Sequence, residues 1–250
     1  MVRGTSEASP TSGDRRRIRA VFLDLGGTLM DFEDFSGWVD AAGCVGVEVG
    51  LEALAHAYRH WQELDPSGLS EQLWWKEVLD EAAGTVNPEP TVIRFVDRLR
   101  TLPRTSGEVF SDARWCLDAL AREHRKLGVI SNSRSVESIK EYMEQADILR
   151  YFELVVSSGT EGVAKPNPEI FRRAVERVGV PAGEAFYVGD LPNTDARAAR
   201  AAGLHSVWLR RAGTGFGEDP PEITSLTELP GLVRRLEGRA LKLDGPNGWL

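Results

Sequence analysis

The stretch AVFLDLGGTLM, residues 20–30, decides how the rest of the chain is read. IRAVFLD, residues 18–24, which overlaps it, is a short apolar run closed by the polar Asp24 and then by Gly26-Gly27. A short apolar run ended by a polar residue and turn-forming glycines is the pattern of a buried strand. Asp24 then stands at the carboxyl end of that strand, where open parallel sheets bind their ligands.

Downstream, strand and helix patterns alternate. KLGVISN (126–132), FELVVSS (152–158), AFYVGD (185–190) and HSVWLR (205–210) read as strands. SVESIKEYMEQADI (135–148), PEIFRRAVERVG (168–179) and TDARAARAAG (194–203) between them carry helical spacing. Such alternation builds a parallel sheet with right-handed crossovers. Between Trp38 and Leu120 the pattern is helical instead, in LEALAHAYRHWQEL (51–64), SEQLWWKEVLDEAA (70–83) and PTVIRFVDRLRTL (90–102), with turn chemistry in the breaks. An insertion of that length after the first strand is a separate lid rather than a loop. The expected fold is therefore α/β, a Rossmann-like parallel-sheet core with an inserted helical cap domain. Residues 1–17 are expected as a disordered tail, 18–32 and 116–237 as the core, 33–115 as the cap and 238–250 as a C-terminal tail.

Composition narrows the function. The chain has 250 residues, 42% of them hydrophobic, enough for one core domain plus an insertion. A net charge of −8 argues against a nucleic-acid partner, and Arg15-Arg16-Arg17 reads as part of a solvated tail. Two cysteines make no disulfide framework, which points to a reducing cytoplasm. Apolar runs of about eighteen residues are missing, so no membrane partner is expected, and the chain is read as a monomer or homodimer.

The strand ends deliver Asp24, Ser131-Asn132 and Asp190 to one rim of the sheet. Lys165 precedes a helix that Asn167 or Pro168 starts, and Asp195 heads the helix after Asp190. Each residue alone has a plain structural use, as a turn former, cap or surface charge. Together, three carboxylates would repel without a counter-ion, and all-oxygen donors favour a hard cation, best Mg²⁺. The lysine adds a fixed positive charge, and amides at Gly26-Gly27 can approach an anion closely. That combination suits a phosphoryl group.

FLDLGGTL (22–29), VISN (129–132), AKPNPEIF (164–171) and YVGDLPNTD (187–195) resemble, in order, the four motifs of the haloacid dehalogenase-like (HAD) hydrolase superfamily, and the helical insertion is similar to its C1-type cap. The resemblance implies a hydrolase, phosphatase-type, acting on a small phosphorylated molecule. Asp24, Ser131 and Lys165 are the implied catalytic residues, with Asp24 as the nucleophile. It implies Asp24, Asp190, Asp195 and the Gly26 carbonyl as metal ligands, and Gly26, Gly27, Thr28 and Asn132 as substrate-binding residues.

The first motif departs from the family pattern: Gly26 stands where a second aspartate is usual. That aspartate protonates the leaving oxygen and then activates water, help worth about 10²–10⁴ in rate. Three consequences are open. Asp31, Glu33 or Asp34 could replace it; the substrate could need no acid; or the site could serve binding without catalysis. A haloacid dehalogenase or phosphonate hydrolase is the alternative enzyme, the latter needing a cap amine, for which Lys76 is the candidate. A non-catalytic phospho-ligand binding or interaction module is the alternative outside enzymes. His56 and His60 have zinc-ligand spacing without a third ligand in view. GTGFG (213–217) lacks the following helix of a dinucleotide site. Trp38, Trp61, Trp74 and Trp75 are divided between packing the cap and lining its pocket, and Arg59 reads as a surface ion-pairing residue or, in the alternative, as a contact for a second anionic group of the substrate.

Overall fold

A computed structural model describes residues 17–32, 35–63, 71–101, 107–133, 135–211 and 220–238. The first strand, β1 (Ala20–Leu23), is followed by a two-residue strand, β2 (Met30–Asp31). Four helices come next: α1 (Ser36–Cys44), α2 (Leu51–Glu63), α3 (Glu71–Ala83) and α4 (Glu89–Thr101). The chain returns through β3 (Glu108–Val109), α5 (Ser111–Arg122) and β4 (Lys126–Ser131). It continues as α6 (Val136–Gln145), β5 (Leu154–Ser157), α7 (Ser158–Glu161), α8 (Pro168–Val178) and β6 (Ala185–Gly189). The last elements are α9 (Ala198–Ala201), β7 (His205–Leu209), β8 (Glu222–Ile223) and α10 (Leu229–Gly238).

Six strands pair in the order β5-β4-β1-β6-β7-β8, all parallel. β1 lies between β4 and β6, so the three strand ends that carry polar residues are neighbours. Successive side chains of a strand point to opposite faces, and both faces are covered here. Val21, Leu23, Val129, Phe186 and Val188 pack with Leu117 of α5 and Ile139 of α6. Phe22, Ile130 and Tyr187 pack on the other side with Phe171 of α8 and Ala199 of α9. Double burial is why these strands read as continuous apolar runs rather than alternating ones.

The inserted helices have a core of their own, built from Leu54, Trp75, Val78, Leu79 and Phe95. Trp38, Trp61 and Trp74 pack against it, which gives all four cap tryptophans a packing use. Trp38, Tyr58, Trp74 and Trp75 meet edge-on, with centroid separations of 4.7–5.3 Å along the chain of rings, the geometry that aromatic quadrupoles favour. The boundary expected at 115/116 falls inside α5, whose Ala113, Cys116 and Leu117 all belong to the sheet's packing. We therefore place the return to the core at the junction of β3 and α5.

Two short features were not legible in the sequence. β2 and β3 pair antiparallel, Met30 with Val109 and Asp31 with Glu108, and tie together the outgoing and returning connections of the cap. Two residues are too few to show a period. The helix expected over 194–203 begins as a π turn, Pro192–Arg197, and becomes α-helical at Ala198. The tails, Glu33, Asp34 and GTGFG lie outside the described residues, apart from Arg17 and Gly238 at the tail edges. No described helix is long and apolar enough to cross a membrane.

Candidate active site

β1 ends at Leu23, and Asp24 follows with its N–H donated to the Val188 carbonyl at 2.9 Å. This bond fixes the carboxylate at the seam between β1 and β6. β6 places Asp190 one residue beyond its end, and the π turn carries Asp195 back underneath. Asn167 caps α8 by accepting the Glu169 N–H at 3.0 Å, with Pro168 in the first turn, and this sets the loop that holds Lys165. That loop is also gripped by Asn132, whose side-chain oxygen accepts the Lys165 N–H at 2.9 Å and whose amide donates to the Lys165 carbonyl at 2.9 Å. Asn132, expected among substrate-binding residues, thus uses its amide to position the lysine.

The charges converge. One ligand oxygen from each of Asp24, Asp190 and Asp195 lies within 4.8 Å of the others. Lys165 Nζ donates to Asp24 Oδ1 at 2.8 Å, Asp195 Oδ1 at 2.6 Å and Tyr187 Oη at 3.0 Å. An ammonium has three N–H donors, so this lysine is saturated and cannot swing. Tyr187 accepts from Lys165 and donates to Asp195 Oδ1 at 2.9 Å. Burial, reinforced by Asp195 and Asp24, raises the Tyr187 pKa well above its ordinary value, which keeps the phenol neutral and donating. Asp195 Oδ2 accepts the Leu191 N–H at 3.1 Å, so both its oxygens are engaged.

Electrostatics follow from this crowding. Burial pushes Asp24 up to about 6, with Asp195 adding to the rise and Lys165 opposing it. Asp190 is raised well above the carboxylate range, first by burial and then by Asp24 and Asp195. Burial works against the Lys165 ammonium, but Asp195 and Asp24 outweigh it and lift its pKa. Three carboxylates facing one ammonium leave an excess of negative charge that a small hard cation would balance. The donors are all oxygens, with no His or Cys in the group, which fits Mg²⁺.

The glycine pair separates into two cases. Gly27 has φ +67°, and a Cβ there would lie 2.2 Å from Asp190 Oδ2, so the loop and the carboxylate can approach only because residue 27 has no side chain. Gly26 has no positive φ, and a Cβ would meet only Phe32 Cδ2 at 3.5 Å, an ordinary contact. Position 26 thus has room for a Cβ, and the neighbour it would meet is an apolar ring. Phe32 in turn packs edge-on to Tyr142 with centroids 5.1 Å apart.

Thr28 is fully buried and its hydroxyl donates to Asp190 Oδ1 at 3.4 Å. Ser131 is buried at the end of β4, on the strand adjacent to β1. Asp31 is exposed on β2, opposite Glu108. Lys76 is ion-paired to Asp80 one turn away, and that hydrogen bond raises its pKa, which counts against a free cap amine. His60 meets Glu81 at 2.8 Å, and Trp61 donates to the same oxygen at 2.8 Å, so Glu81 joins α2 to α3; among the described residues no metal-ligand group includes His56 or His60. Arg59 lies 5.9 Å from the Phe35 ring centroid.

Sequence reasoning missed Tyr187 although YVGD was in view. A tyrosine inside a strand buried on both faces needs a partner for its hydroxyl, and that signal could have found it. It also missed Arg211, whose partners stand far away in the chain.

The family model for haloacid dehalogenase-like hydrolases matches residues 18–203. Haloacid dehalogenase-like hydrolase domain-containing protein 3 of Danio rerio is 32% identical over 190 residues, covering 70% of this chain and 76% of that protein. The phosphoserine phosphatase of Thermus thermophilus is 31% identical over 196 residues, covering 75% of this chain and 72% of that protein. Among solved structures, a 2-haloacid dehalogenase from Pseudomonas syringae superposes with a TM-score of 0.59 at 26% identity, covering 87% of this chain and 99% of that one. The family match spans well over half of the chain, and the chain belongs to the haloacid dehalogenase-like hydrolases.

Proposed function

We propose that the chain is a Mg²⁺-dependent phosphatase that acts on a small phosphorylated molecule through an aspartyl-phosphate on Asp24. The observation that supports this best is the saturated Lys165, held between Asp24 and Asp195 beside Asp190. Asp24, Asp190 and Asp195, with the Gly26 carbonyl, would hold the ion, which when bound neutralises phosphoryl oxygens and the carboxylates around them. Asp24 attacks phosphorus in line with the leaving oxygen; the bond to that oxygen breaks, and water later cleaves the acyl phosphate. Lys165 stays charged and keeps the Asp24 carboxylate aimed, and Tyr187 keeps Lys165 in place. Ser131 and the Gly26 and Thr28 amides bind the phosphoryl oxygens, while the Gly27 N–H is given to the Met30 carbonyl at 2.9 Å and shapes the loop instead. The cap closes over the cleft and excludes water during transfer.

Gly26 sets the substrate class. With an apolar ring facing position 26, the leaving group departs without a proton from that residue, so the preferred substrates are aryl or acyl phosphates, whose leaving oxygens are weak bases. Purified protein with Mg²⁺ should release phosphate from these faster than from alkyl esters, and Asp24→Asn should abolish release. Equal rates on both ester types would refute the leaving-group assignment.

The dehalogenase alternative draws on the structural neighbour and predicts halide release that persists in chelator. The binding-module alternative draws on the missing acid. It gains if a broad ester panel is inert while beryllium fluoride with Mg²⁺ still raises the melting temperature.

A further inference from the structure

Arg211 lies just beyond β7 and reaches the loop after β1. Its Nε donates to the Gly27 carbonyl at 3.0 Å, and Nη2 donates to the Thr28 carbonyl at 2.6 Å. The fork also pairs with Asp112, Nη1 to Oδ2 and Nη2 to Oδ1, each at 3.0 Å. The guanidinium carbon sits 3.7 Å from the centroid of the Phe110 ring. Asp112 is itself anchored, accepting from Ser225 Oγ and the Leu226 N–H at 2.9 Å each. Burial opposes ionisation of Asp112, but the bonds from Arg211, Leu226 and Ser225 prevail and hold its pKa below the ordinary value.

The partners of this one side chain sit at the roots of both connections to the cap. Gly27 and Thr28 lead outward, Phe110 and Asp112 lead back, and the Phe110 N–H donates to the Leu29 carbonyl at 3.1 Å between them. Gly27 also packs directly under the Asp190 carboxylate, and Thr28 contacts it. Moving these two peptides, which begin three residues along the chain from Asp24, therefore moves the surface against which Asp190 is set. Misplacement of reacting groups by about 1 Å costs on the order of 10² in rate. Only a planar guanidinium can serve two carbonyls and a bidentate carboxylate at once; a lysine ammonium has neither the fork nor enough donors.

We propose that Arg211 is a positioning residue of the phosphoryl site: it fixes the Gly27 and Thr28 carbonyls and, through Asp112, joins the nucleophile loop to the segment returning from the cap. The kinetic consequence rests on the phosphatase reading above, whereas the structural one does not.

The test uses the full chain with Arg211→Met, Arg211→Lys and Asp112→Asn. With an aryl phosphate and Mg²⁺, Arg211→Met should lower kcat by roughly 10–100-fold while KM stays within about threefold. Millimolar methylguanidinium should restore part of that loss, and methylammonium should not. Amide hydrogen exchange over residues 26–30 should quicken in Arg211→Met and Arg211→Lys, with the rest of the sheet unchanged. Wild-type kcat with wild-type exchange in these variants overturns the proposal, as does an activity loss that no guanidinium rescues and that accompanies lost protection across the whole sheet. Should Arg211→Met fail to fold, Arg211→Lys and Asp112→Asn carry the same readouts. An inert wild-type enzyme would sink the phosphatase reading alone; exchange at 26–30 would still decide for or against Arg211.

Discussion

Restoring the missing carboxylate, Gly26→Asp, tests the link between this site and its chemistry most directly. The backbone permits it, since residue 26 has no positive φ, and the new Cβ meets Phe32 at 3.5 Å without collision. The neighbouring position permits nothing of the kind, because a Cβ at Gly27 would lie 2.2 Å from Asp190 Oδ2. A fourth carboxylate beside a cluster that already holds Asp24 near 6 will itself resist ionisation, and a protonated carboxyl at neutral pH is what a general acid requires. Acid–base assistance contributes about 10²–10⁴ in rate, or about 3–5.5 kcal/mol of barrier. The gain should fall on alkyl phosphates, whose leaving oxygens need a proton, and hardly at all on aryl phosphates. The assay is steady-state phosphate release from one ester of each type with Mg²⁺, read as kcat/KM, which reports formation of the phospho-enzyme. The aryl-to-alkyl ratio should collapse by the same about 10²–10⁴. If Gly26→Asp folds, responds to Mg²⁺ in thermal unfolding and still leaves alkyl kcat/KM within about threefold of wild type, the reasoning fails.

Mg²⁺ should raise the melting temperature, because it binds the folded carboxylate cluster and not the unfolded chain. Asp190→Asn should cancel that response and raise the metal-free melting temperature, each 1 kcal/mol relieved being worth about 2–4 °C. The sign follows from linkage: Asp190 has a raised folded pKa, so its charge burdens the fold above the ordinary carboxylate range, and the gain should vanish below about pH 4. The Mg²⁺ increment should shrink as pH falls through about 6, where Asp24 takes up its proton; an increment that is flat from pH 8 to pH 5 would contradict the raised pKa. Tyr187→Phe removes a buried hydroxyl that bridges Lys165 and Asp195; it should cost about 1–3 kcal/mol in denaturant unfolding and lower kcat more than it raises KM. Gly27→Ala should abolish both the Mg²⁺ response and activity, and full retention of either would refute the close approach to Asp190.

The sequence by itself determined the α/β class, the helical insertion and the carboxylates, lysine and serine of the rim. It could do so because doubly buried strands are locally written as apolar runs, and because polar residues at strand ends lie next to those runs. Tertiary structure alone decided what each group touches: that Tyr187 completes the donors of Lys165, that Asn132 holds the lysine's backbone, that Phe32 faces the empty direction at Gly26, and that Arg211 ties the loop to Asp112. Arg211 and Asp112 are 99 residues apart, and Lys165 and Asp24 are 141 apart. A periodicity is a local property that a short window reveals, whereas a hydrogen bond between distant segments exists only once the sheet has brought their ends to one edge.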